Sequence, residues 1–383
     1  MRVLAAASMG GMGHLTPVLA AAEACRALGH EVTVLVPPAM AHQARRSGLR
    51  VVVGDEPPRA FVDDIWERLR AARPDPGLID RELFADRATE AMLDAARAVQ
   101  ESFRPDLVVR EPCEYSSAVA AHEAAASQAV VGISQAALER SVLDMVAPII
   151  DRFAPGVADA IGEGPYLSSF PGSVDPSPWP DTRRFRRSEE VARPLPDWWP
   201  GDDRPLVYMT FGSVVGHLPD AAGYYEAALS VAASLPARVL VTVGRGTEVS
   251  ELGPVPSNTH VEQWVPQGDV FACAAVVACH GGSGTTFGAL EAGAPLVVCP
   301  FVADNSINGL VVQSAGAGVL VSGREEARGG FKAFGPADVV SLREAIETVL
   351  AEPSFRQAAR SLAAEMRSMP TIDEVLAGVL SQP

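Results

Sequence analysis

Cysteine is scarce in this 383-residue chain: Cys25, Cys113, Cys273, Cys279 and Cys299 are scattered and form no CxxC pair. An odd, dispersed set excludes a disulfide framework and fits reduced thiols in a cytosolic protein. Also missing is any uninterrupted apolar stretch of the roughly 20 residues that a membrane helix requires. Met1 to Ala7 reads as a strand and lacks the basic flank, long apolar region and cleavage site of a secretory signal. Positive charge is in deficit, with 31 Lys and Arg against 47 Asp and Glu, a net charge of -16. That balance argues against a nucleic-acid partner, whose phosphates call for a basic face, and disfavours docking on anionic lipid. No Walker ending, HExxH, Cys/His cluster or DxD-like pair at a strand end is present, so no metal or other cofactor is expected. The protein is expected to be soluble and cytoplasmic.

What is there is an ordinary globular composition, 48% hydrophobic and 20% charged, too long for one core and therefore split into two domains. Arg2 to Ala7 is a buried strand, followed by a turn with Gly10, Gly11 and Gly13, a helix from about Thr16 to Gly29, and a strand from Glu31 to Val36. Strand, glycine turn, helix and strand make the βαβ unit of a parallel sheet. Leu49 to Val53, Leu107 to Val109 and Ala129 to Ile133 fit further strands, and Arg81 to Phe103 a long helix. From about Ser168 to Arg204 seven prolines, three tryptophans and the run Arg183-Arg184-Phe185-Arg186-Arg187 change the character. Proline at that density continues neither helix nor central strand, and the arginine run reads as a solvated loop. A second α/β series follows, with strands at Leu206 to Thr210, Arg238 to Val243, His260 to Gln263, Val276 to Cys279 and Leu296 to Cys299. The expected boundaries are 1–180, a linker at 181–205, a second domain at 206–365, and a final helix at 366–383 packed back on the first domain. Two doubly wound sheets place their ligands at the carboxyl ends of the strands.

Val276 to Cys279 runs directly into His280-Gly281-Gly282-Ser283-Gly284-Thr285-Thr286 and then a helical pattern. A glycine-rich turn at a helix start suits an anion, because backbone amides point outward and the helix dipole adds positive charge. Ser283, Thr285 and Thr286 offer hydroxyl donors, and a protonated His280 a charge-assisted hydrogen bond. The same turn also serves as a plain strand-to-helix connection. What surrounds it adds weight: Trp264-Val265-Pro266-Gln267 before it, and Gly293-Ala294-Pro295, Pro300 and Asp304-Asn305 after it.

In that order and spacing these residues resemble the donor signature of the family containing macrolide, plant secondary-product and glucuronosyl transferases, and the resemblance includes Gly13-His14-xx-Pro17 in the first half. It implies the α/β GT-B architecture: two facing doubly wound, Rossmann-like parallel-sheet domains with a cleft between them, the first for the acceptor and the second for the nucleotide sugar. By the resemblance Trp264 stacks on the base, with Val265 and Gln267 beside it. His280 with Gly282, Ser283, Gly284 and Thr285 holds the diphosphate, Gly212 and Ser213 form a second phosphate-proximal loop, and Asp304 and Asn305 face the sugar hydroxyls. Asp and Asn also cap helices, and a tight turn equally explains Gly212 and Ser213. Where the family often has a ribose-gripping glutamate, this chain has Gly288, and Asn305 replaces the usual glutamine. Both departures look more like the bacterial enzymes that use thymidine-diphospho-deoxysugars than like plant glucosyltransferases, and the expected donor is a thymidine- or uridine-diphospho sugar.

His14 lies at the carboxyl edge of the first strand. An alcohol attacking an anomeric carbon needs a base at neutral pH, and imidazole suits; the family uses this histidine so and pairs it with a carboxylate. Val109-Arg110-Glu111-Pro112-Cys113-Glu114 offers Glu111 first and Glu114 second. The expected activity is inverting sugar transfer to a hydroxyl of a small, apolar natural product, as in antibiotic biosynthesis, with no stable membrane insertion; a homodimer is allowed for. The rivals are a transferase for a lipid-linked cell-wall precursor, a sugar-nucleotide epimerase, and a non-catalytic auxiliary protein of the same fold.

Overall fold

A computed structural model of the chain describes residues 1–69, 75, 77–187, 192–212, 221–244, 246–321 and 335–381. Its backbone divides into two compact units, Met1–Ser188 with Ser368–Pro383, and Glu189–Arg367. Each is built on one parallel sheet. The first sheet comprises β1 (Arg2–Ala6), β2 (Glu31–Val36), β3 (Arg50–Val53), β4 (Leu107–Arg110), β5 (Ser127–Val131), β6 (Tyr166–Ser168) and β7 (Thr182–Arg184). Its order is β3-β2-β1-β4-β5-β6-β7. The second comprises β8 (Leu206–Thr210), β9 (Arg238–Thr242), β10 (Thr259–Glu262), β11 (Val276–Cys279), β12 (Leu296–Val298) and β13 (Gly318–Leu320), in the order β10-β9-β8-β11-β12-β13.

Strands such as Val-Leu-Ala-Ala of β1 and Val-Val-Ala-Cys of β11 are buried along their length. Helices cover both faces of a parallel sheet, so its strands read as apolar runs without alternation. In both sheets the winding reverses between the first strand and the one paired to its other side, β1 with β4 and β8 with β11. Loops leaving the carboxyl ends of two such strands diverge to opposite faces and leave an open crevice. Ala6 lies opposite Arg110 and Thr210 opposite Cys279, so each crevice is flanked by residues more than sixty positions apart.

Three expectations change. The helix after β1 begins at Met12, not near Thr16, because Gly11 turns the chain at φ 83° and serves as its N-cap. His14 therefore sits in the first turn, and Pro17, lacking an N–H, leaves the Gly13 carbonyl without its helical partner. The arginine run is not a solvated loop. Thr182–Arg184 adds an edge strand beside β6, Arg183 binds Asp181 at 2.8 Å, Arg184 donates to the Phe170 carbonyl and Phe185 is in the core. An edge strand of three residues tolerates neighbouring prolines that a central one would not. The expected helix from Arg81 opens instead with a π-helical segment, Ile79–Ala88, before regular helix at Thr89–Phe103.

The final helix, Ile372–Leu380, opens with a capping box from Thr371 and Glu374. It buries Ile372, Val375, Leu376 and Val379 in the same core as Leu15 and Val18 of the first helix. Among the described residues no helix is long and apolar enough to cross a membrane.

Candidate active site

In the first unit the register of β1 and β4 brings Ser8 beside Glu111. The Ser8 amide donates to Glu111 Oε1 at 2.9 Å and the Cys113 amide to Oε2 at 2.6 Å. His14 Nδ1 stands 3.3 Å from Oε1. Glu111 is fully buried while the His14 side chain keeps 16% of its surface accessible. Burial pushes the Glu111 carboxyl up, but the charge and contact of His14 and the two amides outweigh it and hold it below 4.5. Glu111 is thus an anion bound to one edge of the imidazole.

Glu114 does something else. It accepts the Ser117 amide and both the Ser116 and Ser117 hydroxyls at the start of the helix Ser116–Glu123. That is helix-end satisfaction, and it leaves Glu111 as the carboxylate on His14. Two further residues shape this corner: Arg110, which the sequence reading did not single out, and Gly10, which it placed only in the turn after the first strand. Arg110, fully buried, donates from Nη1 to the carbonyls of Glu111 and Glu114 and pins the turn between them. Gly10, at φ 144°, lies so close under His14 that a methyl group there would meet the ring at 2.4 Å. A basic residue closing a strand and a glycine in a turn are both common, so neither carried a signal for the site.

In the second unit, Gly282 is the N-cap of the helix Ser283–Glu291, and no side chain caps that helix. Its first amides, which have no intrahelical partner, are open to an anion. Gly281 takes φ 91° with its Cα against the Asn305 carbonyl, a conformation natural only to glycine. The His280 ring packs between Gly212 and Gly282: a Cβ would fall 2.8 Å and 2.4 Å from it, respectively. Burial pushes the His280 pKa down to about 4, against the opposing pull of Asp304 and a hydrogen bond to the Thr210 carbonyl. His280 is therefore neutral at physiological pH, with a single N–H that the bond to the Thr210 carbonyl occupies, so the charge-assisted bond expected of it is not available.

That has a sign. Between about pH 6.5 and 4 the unfolded chain binds a proton that native His280 refuses, so the native state loses stability as pH falls through that window. Denaturant titrations are expected to show wild type losing ground to His280→Asn from pH 6.5 down to 4; a constant difference would contradict a neutral His280.

Trp264 is 57% exposed, an unusual setting for so large an apolar ring. Val265 is buried and can offer a ligand only its backbone. Gln267 bridges the Tyr208 hydroxyl at 3.2 Å and the Thr285 hydroxyl at 3.4 Å. The Tyr208 hydroxyl in turn meets Thr242, which meets Thr210. Asp304 accepts the Ser283 hydroxyl at 2.8 Å. Asn308, fully buried, donates to the Gly281 carbonyl, Ser283 and Asp304, tying the loop to the next helix. Asn305 is buried: its side-chain oxygen accepts the Phe301 and Val302 amides, and its Nδ2 donates to Asp304 Oδ1 at 3.4 Å. Of the second phosphate-proximal loop, Gly212 lies against His280 and Ser213 falls outside the described residues.

A groove of about 760 Å³ opens at the other end of this sheet, lined by Pro205, Ala275 and Pro295, each just before a strand. Open α/β sheets bind ligands at strand carboxyl ends, so this groove is not the site.

Comparisons with known proteins identify the family and the fold. Residues 226–381 match the family described as erythromycin biosynthesis protein CIII-like, C-terminal domain. The elloramycin glycosyltransferase ElmGT of Streptomyces olivaceus is 30% identical, with 98% of this chain and 96% of that one covered. The TDP-daunosamine transferase DnrS of Streptomyces peucetius is 28% identical over 93% of this chain and 91% of its own. Among solved structures, the glycosyltransferase SnogD from Streptomyces nogalater superposes with a TM-score of 0.74 at 27% identity, covering 100% of this chain and 99% of that one. With two Rossmann-like parallel-sheet units, a histidine at one switch point and an open helix N-terminus at the other, the chain belongs to the GT-B glycosyltransferase family of the elloramycin and daunosamine enzymes, and is itself a glycosyltransferase.

Proposed function

We propose that the enzyme transfers a deoxysugar, with inversion, from a thymidine-diphospho donor to a hydroxyl of a small, largely apolar natural product. The observation that carries this reading is the imidazole of His14, held at 3.3 Å by a buried, ionised carboxylate at the carboxyl edge of β1 and β4. Glu111 fixes the tautomer with its proton on Nδ1 and leaves Nε2 to accept the proton of the acceptor, as the acid of a catalytic triad does. The acceptor oxygen then bonds to the anomeric carbon as the bond from that carbon to the diphosphate breaks. The leaving charge is met by the amides of Ser283 to Thr285 and the helix dipole, with the neutral His280 ring packed against the loop, so the reading needs no metal. Trp264 stacks on the base. The thymidine preference is supported by Gly288 in place of a ribose-binding glutamate and by a relative whose name specifies a TDP-sugar.

Thermal-shift measurements with thymidine and uridine diphosphates, alone and sugar-linked, test the donor half. Thymidine diphosphate is expected to raise the melting temperature more than uridine diphosphate at equal concentration. Equal shifts would remove the donor preference, and no shift with either would remove the donor site.

A further inference from the structure

π-helical turns are uncommon and recur at functional sites. The one at Ile79–Ala88 covers the base. The Phe84 ring lies 5.5 Å from that of His14, and Phe84 and Ile79 join one apolar cluster with Tyr115, Cys113 and Met9. Side chains four apart on a helix share a face, which puts Asp80 on the same side of the segment as Phe84. Asp80 lies within electrostatic reach of His14, Cys113 and Tyr115. Its carboxylate accepts from its own backbone amide, and no other hydrogen-bond partner is found among the described residues.

A half-buried carboxylate with unused acceptor capacity beside a base is an arrangement typical of functional sites. Burial pushes its pKa up to about 6, against the lowering charges of His14 and Arg81. The other ionisable groups at this corner are Glu111, Cys113 and Tyr115 from the β4 turn, Arg110 beneath them, and Glu139 of the helix Ala136–Ile150.

We propose that Asp80 is a second carboxylate of the acceptor site, a positioning residue that steadies the imidazolium formed when His14 takes the acceptor's proton. The proposal rests on His14 being the base. Asp80 exchanges no bond in the reaction: the proton moves from acceptor oxygen to His14, and the sugar from diphosphate to acceptor. Glu111 holds one nitrogen of the ring, and Asp80 supplies negative charge from a separate element, the π-helical cover.

Asp80→Asn removes the charge at constant shape. Its kcat is expected to fall about tenfold, and the acid limb of its pH profile to move about half to one unit lower, because a lost nearby anion makes His14 easier to deprotonate. The wild-type limb, shaped by two coupled titrations, should become that of a single group, and Asp80→Glu should restore part of both effects. Thymidine diphosphate binding, which belongs to the second unit, should stay unchanged, and an unchanged melting temperature should report that the first unit, which carries Asp80, is folded. An NMR titration of the His14 ring gives an arm independent of turnover: its midpoint should drop in Asp80→Asn. An unmoved midpoint together with an unmoved limb overturns the role of Asp80. Full activity of His14→Ala overturns the base instead, and the two failures are distinguishable because the NMR midpoint reports the coupling alone.

Discussion

His14→Ala is expected to lower kcat by about 10² to 10⁴, the usual worth of a positioned general base, with the affinity for thymidine diphosphate unchanged. The size follows from the chemistry: a neutral hydroxyl attacks an anomeric carbon poorly, and the chain places one imidazole at the crevice of β1 and β4 with a buried anion on its Nδ1 side. The selectivity follows from the architecture, because His14 and the helix Ser283–Glu291 belong to different compact units. Steady-state kinetics paired with calorimetric titration of the nucleotide would check both halves. Near-full turnover in His14→Ala would leave Glu111 with no catalytic reason to be buried beside it. Glu111→Gln should fall between the two, since it keeps the hydrogen-bonding shape and removes the charge that stabilises the imidazolium.

Gly282→Ala is expected to weaken donor binding by about a hundredfold, the cost of misplacing several phosphate contacts at once. Gly282 has an ordinary extended backbone, φ -62° and ψ 138°, so the effect is not one of strain. Its new methyl would meet His280 Nε2 at 2.4 Å, and on the Gly212 side the ring is packed closely enough that a Cβ there would fall 2.8 Å from it. The ring must leave, and with it its bond to the Thr210 carbonyl and the shape of the phosphate loop. Gly284→Ala is the informative contrast: a Cβ there meets no protein atom within 4 Å. Its melting temperature should match wild type, so any loss of nucleotide affinity in that variant reports the ligand's own approach to the backbone. Wild-type affinity in Gly282→Ala would place the diphosphate elsewhere.

Much of the fold was legible along the chain because it is written in local terms. β2, β8 and β11 coincide with the expected runs, since a strand buried on both faces must be apolar throughout. β6, β7 and β13, three residues each, were not separately legible: three residues carry too little pattern to stand out, and β7, an edge strand, lies among prolines. The π-helical turn at Ile79–Ala88 was invisible for a different reason, because Ile-Asp-Arg-Glu-Leu-Phe-Ala-Asp-Arg-Ala reads as ordinary helix and only packing against the His14 corner distinguishes it.

The sequence by itself determined the two α/β series, the glycine-bounded loop at His280 and the histidine at the end of β1, because backbone freedom at glycine and burial of apolar runs are properties of short segments. Only the tertiary structure decided which carboxylate serves His14. Glu111 and Glu114 are three residues apart and chemically alike, but the register of β4 against β1 brings Glu111 to the Ser8 amide while Glu114 turns back to cap its own helix. Tertiary structure likewise decided the charge of His280, whose burial favours the neutral ring, turned Asn305 into the loop, and carried Asp80 to the base from 66 residues along the chain. These outcomes depend on distance and desolvation between segments far apart in sequence, which no local pattern of residues encodes.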